Sequence, residues 1–252
     1  MELAIVQHNQ EINYVMKLLI IGDSHTLRLR NALPTGTVED CYFGPGDIPV
    51  TSKCIQNHMA KTEPEYEREI YFSGHRGKTG CRGSYYEDNN YPCLEQYKDK
   101  DFVVLPWFGY IDVKQFLPLD GFKNPEFAVK SYIDRTLNYF KDNRVIFIEP
   151  LPQHTNILGF GSPLLPFEER EPYQKDFIKY LRQECESRGL DKPISIESIL
   201  GVDKFDESYE CHTCRDCLDP QYAGFKLDHP NKETFSKIID GILKELDTLI
   251  SN

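Results

Sequence analysis

The sequence predicts an α/β fold organised around a doubly wound parallel sheet. Two observations predict it. Residues 18–21, 103–105 and 145–148 are apolar on consecutive positions rather than alternate ones, which is how strands covered on both faces read. Segments of helical period lie between or after these runs, and strand–helix alternation argues for parallel pairing.

The elements follow in order. Strand-like composition occurs at residues 17–21, 37–42, 101–107, 144–149 and 193–197. Residues 127–141 place Val129, Tyr132, Ile133, Leu137 and Phe140 on one helical stripe. Residues 168–188 do the same with Tyr173, Phe177, Ile178, Leu181 and Cys185. The last helix is the clearest. Asn231 is a plausible N-cap, and Phe235, Ile238, Ile239, Ile242, Leu243, Leu246 and Leu249 recur at three and four. Two segments break the alternation. Residues 47–100 read as a long insertion after the second strand, with only 68–72 strand-like. Loops of that length are functional lids, binding loops or disordered segments. Residues 203–226 form a cysteine-rich loop before the last helix.

One domain spanning 1–252 accommodates all of this. The net charge is −11, from 29 basic and 40 acidic side chains. That balance excludes a general nucleic-acid binder or an anionic-membrane binder, which need surplus Lys and Arg. The start has no long apolar stretch and does not read as a secretory signal. No apolar run approaches the roughly 18 residues of a membrane span. The expected location is therefore cytoplasmic, where the eight cysteines read first as free thiols or metal ligands. Met16 offers an alternative start, which would make residues 1–15 a dispensable extension.

The first strand runs into Gly22-Asp23-Ser24-His25-Thr26. A glycine permits a sharp turn, and Ser24 falls where a helix should begin, at the strand end where open parallel sheets bind ligands. A helix start supplies unpaired N–H donors. A nucleophile that helps hold an oxyanion suits such a place, and so does a simple N-cap serine. Asp228-His229-Pro230-Asn231 stands just before the last helix. Gly-Asp-Ser after the first strand with His-Pro-Asn before the last helix resembles the SGNH (GDSL-type) hydrolase superfamily. The resemblance implies a flavodoxin-like, three-layer α/β/α sheet carrying a serine esterase or acyl-transfer site.

On that resemblance Ser24 is the nucleophile and His229 the general base. The backbone N–H groups of Ser24 and Gly44 form the oxyanion hole, with Gly46 competing for the second place. The third block of the family usually reads Gly-x-Asn-Asp, its asparagine donating to the oxyanion. Here Phe108-Gly109-Tyr110-Ile111-Asp112 is similar to a divergent branch with an FGxID-type block. Ile111 cannot donate, and Asp112 either orders the loop or touches substrate. The family acid lies three residues before the histidine, where this chain has Lys226, so Asp228 and Asp219 become the candidates.

Cys211, Cys214 and Cys217 recur at spacing three and can converge on a structural zinc with a fourth ligand such as His212, Cys185, Cys81 or Cys93. Free thiols and disulfides are the alternatives. Catalysis itself requires no cofactor. Arg76, Lys78 and Arg82 make a local basic cluster that can receive a carboxylate, phosphate or sulfated glycan, or simply lie exposed. Gly77-Lys78-Thr79 is not a Walker A loop, because Phe72 stands where its first glycine should be. The expected substrate is a small-molecule or carbohydrate ester. A coenzyme A-dependent acyltransferase and a non-catalytic carbohydrate-binding protein are the rival readings, and the oligomeric state is not specified by the sequence.

Overall fold

The computed structural model of the chain describes residues 16–23, 25–26, 29, 61–63, 68–74, 97–98, 101–116, 124–155, 165–209 and 230–251. Its centre is β1 (Met16–Gly22). The short β2 (Lys61–Glu63) pairs antiparallel with β3 (Arg68–Gly74), and β3 lies parallel to β1 with Leu18 opposite Ile70. On its other side β1 pairs in parallel with β4 (Phe102–Trp107), Leu18 facing Val103. Then comes β5 (Arg144–Val145), giving the order β2-β3-β1-β4-β5. The parallel ladder runs on past β5, the Ile146 N–H donating to the Val104 carbonyl at 2.9 Å and Ile148 to Pro106 at 3.0 Å.

β1 shows why the chain makes layers. Side chains alternate across a strand. Leu18 and Ile20 join one buried cluster, and Leu19 and Ile21 join another on the opposite face. All four are fully buried. Each such side chain contributes about 1.5–3 kcal/mol relative to exposure. The Leu19 face is covered by α1 (Pro125–Tyr139) and α2 (Phe167–Ser187), through Val129, Tyr132, Ile133, Phe177 and Leu181. The Leu18 face receives α4 (Lys232–Ser251), which follows the short α3 (Ile196–Leu200). Buried Phe235, Ile238, Ile239, Ile242, Leu243 and Leu246 line its inner side. The α/β parallel-sheet expectation stands.

Local signals set the helix ends. Asn124 accepts from the Glu126 and Phe127 N–H groups at 3.0 and 3.3 Å, and Pro125 occupies the first turn. Asn231 caps α4 as expected, accepting from the Thr234 N–H at 2.9 Å.

The sequence expectations for residues 37–42, 193–197 and Cys185 fare differently. Residues 37–42, expected as the second strand, lie outside the described residues. Within the segment read as an insertion, Arg68–Gly74 forms a full strand beside β1, with Ile70 fully buried in the sheet. Residues 193–197 do not form a strand: a single bridge joins Ile194 to Ile148. The Ser195 side chain then accepts from the Ser198 N–H at 3.3 Å and starts α3, which Gly201 ends at φ 71°. Cys185, one candidate for a fourth zinc ligand, has an apolar setting. It is buried in the core behind α2, and burial pushes its thiol up to about 12.

A second, two-stranded sheet pairs β6 (Gln153–His154) with β7 (Lys204–Phe205). The buried Arg170 of α2 fastens it, donating to Gln153 Oε1, to the His154 carbonyl at 3.1 Å and to the Leu165 carbonyl at 2.8 Å. No described helix is long and apolar enough to cross a membrane.

Candidate active site

The end of β1 is built around a glycine and a carboxylate. A side chain at Gly22 would overlap the Trp107 carbonyl and the Thr26 hydroxyl. Only a residue without Cβ lets β1 and β4 stay this close. Asp23 follows, 2% exposed. Its Oδ1 accepts the His25 backbone N–H at 2.9 Å and the His25 Nδ1–H at 2.7 Å. The Thr26 N–H donates to the Asp23 carbonyl at 3.2 Å, and residues 25, 26 and 29 are helical. This is an Asx turn opening a helix.

The end of β4 supplies the neighbouring wall. The Trp107 indole N–H donates to the Glu149 carbonyl at 3.0 Å, tying the ends of β4 and the β5 segment together. Gly109 takes φ 110°, and a Cβ there would come within 2.8 Å of the Phe177 ring. The chain then turns into a short helical segment whose Asp112–Phe116 portion is a π turn. Such turns often mark functional places. Tyr110 sets its ring edge against His25 with centroids 4.6 Å apart. Ile111 packs on the α4-side core, so a hydrophobic contact replaces the donor expected at this position. Asp112 is 1% exposed. Asp23, His25, Trp107, Phe108, Tyr110, Pro150 and Leu151 enclose a crevice of about 150 Å³, too narrow for a water-sized sphere.

The start of α4 completes the convergence. Asn231 is held twice, its N–H donating to the Tyr209 carbonyl at 2.9 Å and its Nδ2 to the Ser208 carbonyl at 3.2 Å. Pro230 is buried. One turn into the helix, the Phe235 ring lies 6.5 Å from the His25 ring. The chain neighbour of Ser24 and the helix that follows His229 therefore touch the same spot.

Ser24, Gly44, Asp228 and His229 themselves lie outside the described residues, as do Arg76, Lys78, Lys226, Asp219 and the cysteines Cys211, Cys214 and Cys217. Among the described residues no group of three or more His, Cys, Asp or Glu can hold a metal.

Sequence reasoning missed two features here. One is the Asp23–His25 pair. The other stands at the end of the β5 segment, where Glu149 has a fully buried side chain. Arg182 of α2 donates to both its oxygens, at 2.5 and 2.9 Å. Nearby Glu197 has its carboxyl raised above the usual range, by burial first and by the Glu149 charge second. The first feature had a sequence signal, an aspartate and a histidine two apart in a turn. The second had none, because its partners are distant in the chain.

No model of a known family matches the chain, and no curated protein does. Solved structures match along nearly its whole length. An acetyl-xylooligosaccharide esterase variant from Geobacillus stearothermophilus is 17% identical with TM-score 0.54, covering 92% of this chain and 94% of its own. LAE5, an α/β hydrolase from the metagenome of Lake Arreo, is 20% identical with TM-score 0.52, covering 93% and 96%. A candidate SGNH hydrolase from Slackia heliotrinireducens is 9% identical with TM-score 0.52, covering 92% and 99%. These likenesses show a shared fold, the one the Gly-Asp-Ser and His-Pro-Asn blocks led us to expect. Two matching variants of the Geobacillus esterase are described as catalytic mutants, an aspartate and a histidine three residues apart being replaced.

Proposed function

We infer that the chain is a serine esterase of the SGNH type, acting on the acyl ester of a carbohydrate. The observation that carries this is the meeting of the two motif flanks, His25 beside Ser24 and Phe235 in the helix after His229, at 6.5 Å. The fold shared with an acetyl-xylooligosaccharide esterase supports the substrate class. Residues far apart in the chain must meet for a serine to be activated by an imidazole.

In this reading His229 removes the Ser24 hydroxyl proton as Ser24 Oγ bonds to the acyl carbon. The Ser24 and Gly44 N–H groups hold the oxyanion. The carbon–oxygen bond to the sugar then breaks, and the sugar leaves with the proton from His229. Water, deprotonated by the same histidine, releases the acid and restores Ser24. Asp228 orients His229, while Arg76 and Lys78 hold the sugar; Asp112, 1% exposed, orders the loop after β4 instead of touching substrate. Ile111 at the usual donor position removes one oxyanion contact, which is worth about 10²–10³ in rate, so the expected enzyme is slow. Cys211, Cys214 and Cys217 would bind a structural zinc that steadies the loop before His229; protein purified without added metal should then contain zinc stoichiometrically, and its absence rejects that site.

The test is labelling by a fluorophosphonate alongside acetate release from an acetylated xylooligosaccharide. The wild type should do both, and Ser24→Ala neither. Labelling that persists in Ser24→Ala, or a wild type that neither labels nor turns over, would falsify the esterase. Glycan binding without turnover, unaffected by Ser24→Ala, would establish the non-catalytic reading that Ile111 favours.

A further inference from the structure

We propose that Asp23 and His25 are positioning residues for Ser24, a role that rests on Ser24 being the nucleophile. One oxygen, Asp23 Oδ1, accepts both the His25 backbone N–H at 2.9 Å and the His25 ring Nδ1–H at 2.7 Å. The two residues bonded to Ser24 are thereby tied to each other through a single atom. The backbone bond closes the turn, and the ring bond keeps the turn from rotating, because the ring cannot move freely. Tyr110 meets it edge-on at 4.6 Å, and Trp107 and Phe235 stand at 6.5 Å each. Both side chains are 3% exposed, so water does not compete for the bond.

The walls give the pair a further consequence. Trp107 belongs to β4, Tyr110 to the turn after it, and Phe235 to α4, whose start is anchored through Asn231. The His25 ring therefore registers the Ser24 turn against the helix that follows His229. A serine and an imidazole must sit within about 3 Å of each other to exchange a proton, and a misplacement of about 1 Å costs on the order of 10²-fold in rate. In this proposal the His25 ring, packed against Tyr110 and Phe235, holds the turn after β1 in register with α4 and so limits how that separation can vary. A histidine serves where a purely apolar residue would not, since it combines aromatic packing with a donor aimed at Asp23.

The experiment compares Asp23→Ala, His25→Leu and His25→Asn with wild type and Ser24→Ala. Fluorophosphonate labelling rate, kcat and KM are measured on protein whose folding is verified by near-UV circular dichroism. Asp23→Ala and His25→Leu should lower the labelling rate and kcat by about 10²-fold with little change in KM, since the sugar contacts lie elsewhere. His25→Asn should recover activity to within about tenfold of wild type, because its amide N–H can replace the Nδ1 donor. Wild-type labelling rates in folded Asp23→Ala and His25→Leu would overturn the positioning role and leave the Ser24 esterase standing. His25→Asn as inactive as Ser24→Ala would overturn it in favour of His25 as the base. Labelling that persists in Ser24→Ala would overturn both readings together.

Discussion

Two buried carboxylates stand at the carboxyl ends of two parallel strands with β4 between them, and they find their partners in opposite ways. Asp23, after β1, pairs with a histidine two residues along the chain. Glu149, after β5, pairs with Arg182, 33 residues away on α2. The first pair is closed on both sides, each side chain 3% exposed; in the second the carboxylate is fully buried while the guanidinium is 45% exposed. A contact two residues long orders a turn and needs little loop closure. A contact spanning a helix fastens that helix to the sheet and exists only in the folded chain. The local pair thus orders the turn after β1, and the distant one joins α2 to the sheet.

The sharpest way to break this contrast is Arg182→Ala. It leaves a buried carboxylate without its cation, and denaturant unfolding should show a loss of about 3 kcal/mol, the lower end for buried pairs because the guanidinium is half exposed. Fluorophosphonate labelling of the folded fraction should not change. A loss below about 1 kcal/mol would mean that water replaces Arg182, and the division of roles would fall.

Asn231→Ala tests the opposite end of the site. Losing the cap of α4 should cost about 1 kcal/mol. It also removes the side-chain bond from the helix start to the Ser208 carbonyl, leaving only the backbone N–H bond to Tyr209 as an anchor. The labelling rate should therefore fall together with stability, unlike the response to Arg182→Ala. Stability that falls with labelling untouched would place the Asn231 anchor with the structural pair.

Trp107→Phe comes next. It removes the indole donor to the Glu149 carbonyl but keeps a ring beside His25. The expected cost is about 1 kcal/mol in thermal unfolding, with only a small effect on labelling. A labelling defect as large as that of His25→Leu would show that the wall, not the pair, sets the Ser24 turn.

The smallest effect concerns pH. Burial, aided by the Glu149 charge, raises the Glu197 carboxyl above its ordinary 4.5. Its ionisation therefore opposes folding. Its stabilising contribution is complete below the unfolded value and is lost as pH rises through the raised folded one. Glu197→Gln removes that loss, so the variant should gain melting temperature relative to wild type on going from acid to neutral pH. A difference that does not vary with pH would show that Glu197 senses neither its burial nor Glu149.

Much of the fold was legible because its signals are local. Consecutive apolar residues marked β1, β4 and the β5 segment, and stripes at three and four marked α1, α2 and α4. Residues 193–197 misled for an equally local reason: Pro193, Ile194 and Ile196 read as strand, while Ser195 was a helix cap. Residues 68–72 read as strand-like, yet their place beside β1 depends on pairing with residues some fifty positions earlier in the chain. At the site, Gly22 and the Asn231 cap were readable, as was the exclusion of Ile111 as a donor. The closing of Asp23 on His25 was available in principle, because an aspartate opening a turn bonds two residues ahead.

The sequence by itself determined the α/β class, the ends of the principal helices and the turn after the first strand. Those follow from side-chain period and from hydrogen bonds that span a few residues. Only the tertiary structure decided that Arg68–Gly74 lies beside β1, that Arg182 answers Glu149, and that Phe235 and Tyr110 wall the His25 ring. Each of those joins segments whose association is driven by shared burial. Burial is non-directional, so it names no partner until the whole chain has packed.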